Sequence, residues 1–296
     1  MDYFAGIVGQ ERAIDLLKKS MDNANISHAY LFSGPAGVGK MQVAMAFAHS
    51  LIHLQDKQAG VYFSENMHPD LFIIEKLEDR SLISKEQISR ELEPWLALKP
   101  YRAQRRVAII RDAQLMSLEA ANALLKTLEE PPGYALIILI SDDDNLLETI
   151  ISRCQVVRFF PLPEKDITEY LLAQGIDREK ASWAAQLGQG SVSRALRFAQ
   201  EEGLEQIWDM AMGRRAAIFE ISEKIQVAPD LSIKLVETIL RDALVAGKSR
   251  QQGILIAPEV PELQKLLQGK DQGKIMQALV EIDKLRAYYR RNINSV

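Results

Sequence analysis

Gly34-Pro35-Ala36-Gly37-Val38-Gly39-Lys40-Met41 is the stretch on which the fold turns. It matches Gly-x₄-Gly-Lys, a glycine-rich loop whose backbone N–H groups cradle phosphate while the lysine neutralises it. The next residue is normally Ser or Thr, because its hydroxyl holds the Mg²⁺ of a bound nucleotide. Met41 stands there instead. A thioether is soft, and a poor ligand for a cation that wants oxygen donors. The loop keeps a binding architecture and loses part of the hydrolytic chemistry.

Working outward, residues 28–33 read as a buried strand running into the loop, and Val43, Ala46, Phe47, Leu51 and Leu54 recur behind it at helical spacing. Strand, glycine loop and helix is the context that the motif requires. Apolar runs at 71–74, 107–110, 135–140 and 156–159 predict four more strands, and a short helix is expected at 14–20. The stretches between strands are long enough for crossovers. The fold class expected is therefore α/β, a parallel sheet covered on both faces. A strong helix is predicted over 114–130, stopped by Pro131-Pro132-Gly133.

Composition changes after Pro161-Leu162-Pro163. Three short helices are expected at 167–174, 178–187 and 191–201, the size of a small lid. From about Leu204 the chain reads as helices again. Leu235, Val236, Ile239, Leu240, Ala243 and Leu244 form one apolar face, and Ile275, Leu279, Ile282, Leu285 and Tyr289 another. Three parts follow: an α/β core over 1–162, a helical lid over 163–203 and an all-helical end over 204–296.

Bulk properties exclude several classes. A chain of 296 residues with 47% apolar and 26% charged residues is an ordinary globular composition. Its net charge of −4 argues against non-specific wrapping of long DNA. One cysteine leaves no internal disulfide and no cysteine-based zinc site. Met1-Asp2-Tyr3-Phe4 lacks the basic and apolar runs of a signal peptide, and the apolar run at 135–140 is too short to cross a membrane. The expectation is a cytoplasmic protein without membrane contact.

A hydrolytic nucleotide site needs carboxylates at the end of a neighbouring strand. Here that strand ends Ile109-Ile110-Arg111-Asp112-Ala113-Gln114. In one register Arg111 takes the place of the first acid, where a cation repels Mg²⁺. In the other, Asp112 is the metal ligand and Ala113 leaves no acid after it. The plainer alternative is that Asp112 caps the following helix. Ser152-Arg153-Cys154 sits just before the fifth strand. A lone arginine is usually a solvated charge, but at this place it could reach the γ-phosphate of a neighbouring chain. Cys154 reads as a small buried residue rather than a reactive thiol.

Gly9-Gln10, the strand and loop over 28–40, His68-Pro69-Asp70, Leu124-Leu125-Lys126-Thr127-Leu128-Glu129-Glu130-Pro131-Pro132 and Ser152-Arg153-Cys154 together resemble the clamp loader of bacterial DNA polymerase III, an AAA+ family. Gly190-Ser191 with Arg194 and Ala195 resembles its lid, and residues 288–294 the end of its collar helix. The likeness is strongest to the delta-prime branch. It implies an AAA+ phosphate-loop core, a lid and an oligomerising collar. It also implies that Arg153 acts as an arginine finger in trans, on ATP held by a gamma or tau subunit. Gly34, Gly37, Gly39, Lys40, Asp112 and Arg194 would then line a degenerate nucleotide site. That site either stays empty or holds ATP without hydrolysing it. The partners implied are gamma/tau and delta subunits, with the sliding clamp and primed DNA reached through the assembly.

Two departures matter. The family usually carries a four-cysteine zinc module before His68-Pro69-Asp70, whereas residues 51–67 contain no cysteine. Zinc is excluded, and packing alone is expected to hold that segment. Gamma and tau keep the hydroxyl and the acidic pair that Met41 and Arg111 replace, so the resemblance implies a non-hydrolysing stator. The alternative is an active ATPase of gamma/tau type, with Asp112 on the metal and water or Ser33 in the hydroxyl's role. A third is a free-standing regulatory protein of the same fold.

Overall fold

The computed structural model describes residues 2–54, 56–63, 67–143, 146–201, 229–248 and 272–292. The chain divides into two compact units, Met1–Pro161 and Leu162–Val296.

The first unit is built on five parallel strands: β1 (Ala29–Ser33), β2 (Leu71–Ile74), β3 (Arg106–Ile110), β4 (Ala135–Ser141) and β5 (Gln155–Arg158). Their order is β2-β3-β4-β1-β5. Every residue of β1, β3 and β4 is buried, as expected of central parallel strands enclosed on both faces. The helices are α1 (Glu11–Asp22), α2 (Lys40–His53), α3 (Gly60–Phe63), α4 (Glu93–Ala97), α5 (Leu118–Glu129) and α6 (Glu148–Ile151). A π-helical turn, Gln87–Leu92, runs directly into α4. Ile88, Leu92, Leu96, Leu124, Leu128 and Ile150 pack with Leu31, Ile110, Ile137 and Leu139 of the sheet in one core.

The single helix expected over 114–130 is interrupted. A 3₁₀ turn, Ala113–Leu115, ends at Met116, which is extended (ψ 135°). Ile83 N–H donates to the Leu115 carbonyl (2.8 Å) and Ser117 N–H to that of Ile83 (3.0 Å), so a remote segment draws Met116 into a parallel bridge. Ser117 then caps α5, its Oγ accepting from Ala120 N–H at 3.1 Å.

The described part of the second unit is helical throughout: α7 (Glu164–Ala173), α8 (Arg178–Gly188), α9 (Val192–Gln200), α10 (Pro229–Lys248) and α11 (Gln272–Asn292). Asp177 and Ser191 cap α8 and α9, accepting from Lys180 N–H and Arg194 N–H. A Cβ on Gly188 would lie 2.7 Å from that of Ala195, which is why α8 and α9 can approach so closely. Arg197 grips Asp230 with both terminal nitrogens (2.7 and 3.1 Å), linking α9 to α10. Leu235, Ile239 and Ile275 are buried, on the two apolar faces that the sequence predicts. Residues 204–228, Ile293, Asn294, and the side chains of Ala243, Leu285 and Tyr289 lie outside what is described.

The expected class is therefore what the chain forms, a parallel-sheet phosphate-loop core followed by helices. Among the described residues no helix is long and apolar enough to cross a membrane.

Candidate functional site

The glycine loop joins β1 to α2 at the C-terminal edge of the sheet. Gly34 N–H donates to the Ser141 carbonyl at the end of β4 (3.3 Å). A Cβ on Gly34 would lie 2.3 Å from the Phe159 carbonyl oxygen, so only glycine fits between β1 and the chain leaving β5. Gly39 has φ +103° where α2 begins, a conformation that side chains resist. Gln10 braces the loop from outside. Its Nε2 donates to the carbonyls of Val38 (3.2 Å) and Phe160 (2.7 Å), and its Oε1 accepts from Phe160 N–H (3.2 Å).

Lys40 is buried at 4% exposure. Its ammonium donates to the carbonyls of Gly34 and Pro35 (2.6 Å to the latter) and pairs with Asp142 at 2.8 Å. An ammonium has three N–H bonds; two go to loop carbonyls and the third to Asp142, beyond the end of β4. The sequence reading missed Asp142, which hides in the acidic run following β4.

Arg111 reaches Glu75 (3.1 Å) and lies 3.7 Å from Asp112. Asp112 opens the 3₁₀ turn at φ +52° and makes no side-chain cap bond, which corrects the capping alternative. Its carboxyl pKa is raised, chiefly by burial and also by Asp142, against the opposing pull of Arg111 and Lys40. This donor set does not fit a hydrolytic Mg²⁺. The Met41 side chain offers no oxygen, and Arg111 sets a cation beside Asp112.

Arg153 follows α6 at the other end of the sheet. Gln155 pairs with Tyr30 and Arg158 with Ser33, so the start of β5 lies beside the start of β1. The loop leaves β1 after Ser33. That separates Arg153 from its own phosphate loop by about four residues of strand, ~13 Å, before the two residues preceding Gln155 are counted. The Arg153 side chain is 34% exposed; it donates to Glu129 (2.6 Å) and to the Thr149 carbonyl (2.8 Å). Burial pushes the Cys154 thiol up to about 12, which leaves it inert as a nucleophile.

Gly34, Gly37, Gly39, Lys40 and Asp112 thus gather at one end of the sheet, with Arg153 at the opposite end. Arg194 belongs to the second unit, where its guanidinium donates to the Gly188 carbonyl (3.2 Å) and burial lowers its pKa, against Glu237.

The cysteine-free segment before β2 is not held by packing alone, contrary to expectation. Arg102 donates from Nε and Nη2 to both oxygens of Asp56 (3.1 Å for the second), and His68 Nε2 lies 3.3 Å from Asp56. Asp70 accepts from the backbone N–H groups of Tyr101, Arg102 and Ala103. His49 stacks on Phe63 with ring centroids 3.8 Å apart, and Tyr3 meets both rings edge-on. An ion-pair and aromatic network stands where the family's zinc module is expected.

A family model described as DNA polymerase III, delta subunit, matches residues 9–163. The chain is 33% identical over 201 residues to DNA polymerase III subunit delta' of Bacillus subtilis, covering 65% of this chain and 60% of that protein. It is 36% identical over 167 residues to subunit delta' of Pseudomonas aeruginosa, covering 53% and 50%. Subunit tau/gamma of Haemophilus influenzae is 35% identical over 173 residues, covering 57% of this chain and 25% of that one. The chain spans half to three-fifths of the length of the two delta' relatives it matches.

Proposed function

Because this chain belongs to the DNA polymerase III delta-subunit family of clamp-loader proteins, we propose that it is a non-hydrolysing stator, presenting Arg153 to ATP bound on a neighbouring gamma or tau subunit. The observation that carries this reading is the position of Arg153. It is partly exposed at the sheet end remote from its own loop, so any phosphate it serves belongs to another chain. An arginine supplied in trans stabilises the charge of phosphoryl transfer and contributes about 10³-fold or more to rate.

The phosphate loop supports the same division of labour. Lys40 is paired with Asp142 and donates to two loop carbonyls, and Met41 and Arg111 disfavour the metal. On this reading the loop takes no part in hydrolysis, whether or not ATP occupies it, and Arg194 of the lid is likewise a remnant of the degenerate site. The helices beyond Pro161 supply the lid and the collar through which the subunits assemble. The assembly, with delta, opens the sliding clamp and places it on primed DNA in the cytoplasm.

Arg153→Ala in a complex reconstituted with gamma or tau ATPase subunits tests the proposal. The isolated variant should melt like the parent, while ATPase at the neighbouring site falls by about 10³-fold or more. An unchanged rate would contradict it.

A further inference from the structure

We infer that Glu129 positions the Arg153 guanidinium for its phosphate, an assignment that rests on the arginine-finger reading above. Glu129 is the last residue of α5. The helix stops there because Pro131 forbids a helical residue before it, and Glu130 accordingly leaves the helix at φ −127°, ψ 64°. Arg153 comes just after α6. Leu128 and Ile150, close along the chain to each partner, are both fully or almost fully buried in the same core, which fixes the two backbones relative to each other.

The guanidinium is held on two sides. Nη2 donates to Glu129 Oε1 at 2.6 Å, and Nη1 donates to the Thr149 carbonyl at 2.8 Å with a longer contact to Ser152 Oγ at 3.4 Å. These bonds use three of the five N–H groups of an arginine and leave the charge at the surface. A long exposed side chain surrenders much rotamer freedom when it engages a ligand, and one already held at the right place surrenders less. The pair is too exposed, at 34% and 51%, to matter much for stability. Orientation is therefore the role left to it. The chain makes this bond inside itself, before any neighbour arrives.

The test uses the same reconstituted complex, with steady-state ATPase measured for Glu129→Ala, Glu129→Gln, Arg153→Ala and the double variant. Glu129→Ala should lower kcat about tenfold, the scale of a modest misplacement, with KM for ATP unchanged because the nucleotide lies on the neighbour. Glu129→Gln keeps an acceptor oxygen and should recover most of the rate. The double variant should be no slower than Arg153→Ala alone, since Glu129 acts only through the arginine. Melting of the isolated variants should match the parent. A Glu129→Ala rate at or above the parent's, or a further loss on top of Arg153→Ala, would overturn the inference. If Arg153→Ala itself is fully active, the arginine-finger reading fails and takes this one with it.

Discussion

Acidification should remove roughly 1–2 kcal/mol of stability from the first unit through one side chain, His49. Burial, and secondarily the charge on His68, holds its imidazole down from 6.5 to about 4. Above pH 6.5 the ring is neutral in folded and unfolded chains alike, and the contribution is complete. Below 6.5 the unfolded chain takes up a proton that the folded one refuses, so stability falls with pH until the folded ring also protonates near 4. Each tenfold difference in proton affinity is about 1.4 kcal/mol, so the interval from 6.5 to about 4 sets a ceiling of about 3 kcal/mol; the ring is only half-buried, and solvent screening brings the expected loss to roughly 1–2 kcal/mol. Asp56 stays outside this window. Its hydrogen bonds to Arg102, chiefly, and to Gln58 and His68 hold it at about 2, so its contribution is lost only as pH falls below 3.8. The assay is urea unfolding in steps from about pH 7 to about pH 4, in a background with Trp183→Phe and Trp208→Phe, so that the fluorescence is that of Trp95, which stacks on Phe72 in this unit. His49→Gln removes the titrating group and should flatten the profile by most of that amount. Parallel profiles for parent and variant would refute the reasoning.

Other consequences are sharper in readout. Gln10→Ala strips the hydrogen bonds that join Val38 and Phe160, and leaving the buried Val38 carbonyl unmet should cost about 1–3 kcal/mol in a thermal melt; an unchanged melt would mean that water or a shifted loop replaces the amide. Cys154, at about 12, is thiolate in only about one molecule in ten thousand at pH 8, so a disulfide reagent should label it on unfolding and scarcely before. Labelling of the native protein at the rate of a free thiol would contradict its burial.

The strands were the legible part of this fold. A parallel strand enclosed on both faces is a short apolar run whatever lies around it, so residues 107–110 and 135–140 announce themselves. The π-helical turn and α4 did not. Pro94 and the charged residues Arg90, Glu91 and Glu93 break the apolar period there, and the wide turn ahead of Pro94 accommodates a residue that has no N–H to give. The break at Met116 was invisible because its cause, Ile83, lies far back in the chain. The same distinction runs through the site. Glycines and a methionine after the lysine are local signals, legible in the sequence as a phosphate loop that departs from its motif at one position. Asp142, Gln10 and Glu129 act through partners remote in sequence, Gln10 through one 150 residues away. No spacing rule reveals such pairs before the chain is folded.

The central claim is that hydrolysis does not belong to this chain. Its most direct test is Mg²⁺-dependent ATP turnover by the isolated protein, beside a Lys40→Ala control. Turnover should not rise above that control, whether or not ATP binds. Turnover that Lys40→Ala abolishes would contradict the claim, and would mean that the roles lost at Met41 and Arg111 are filled by other residues of the loop.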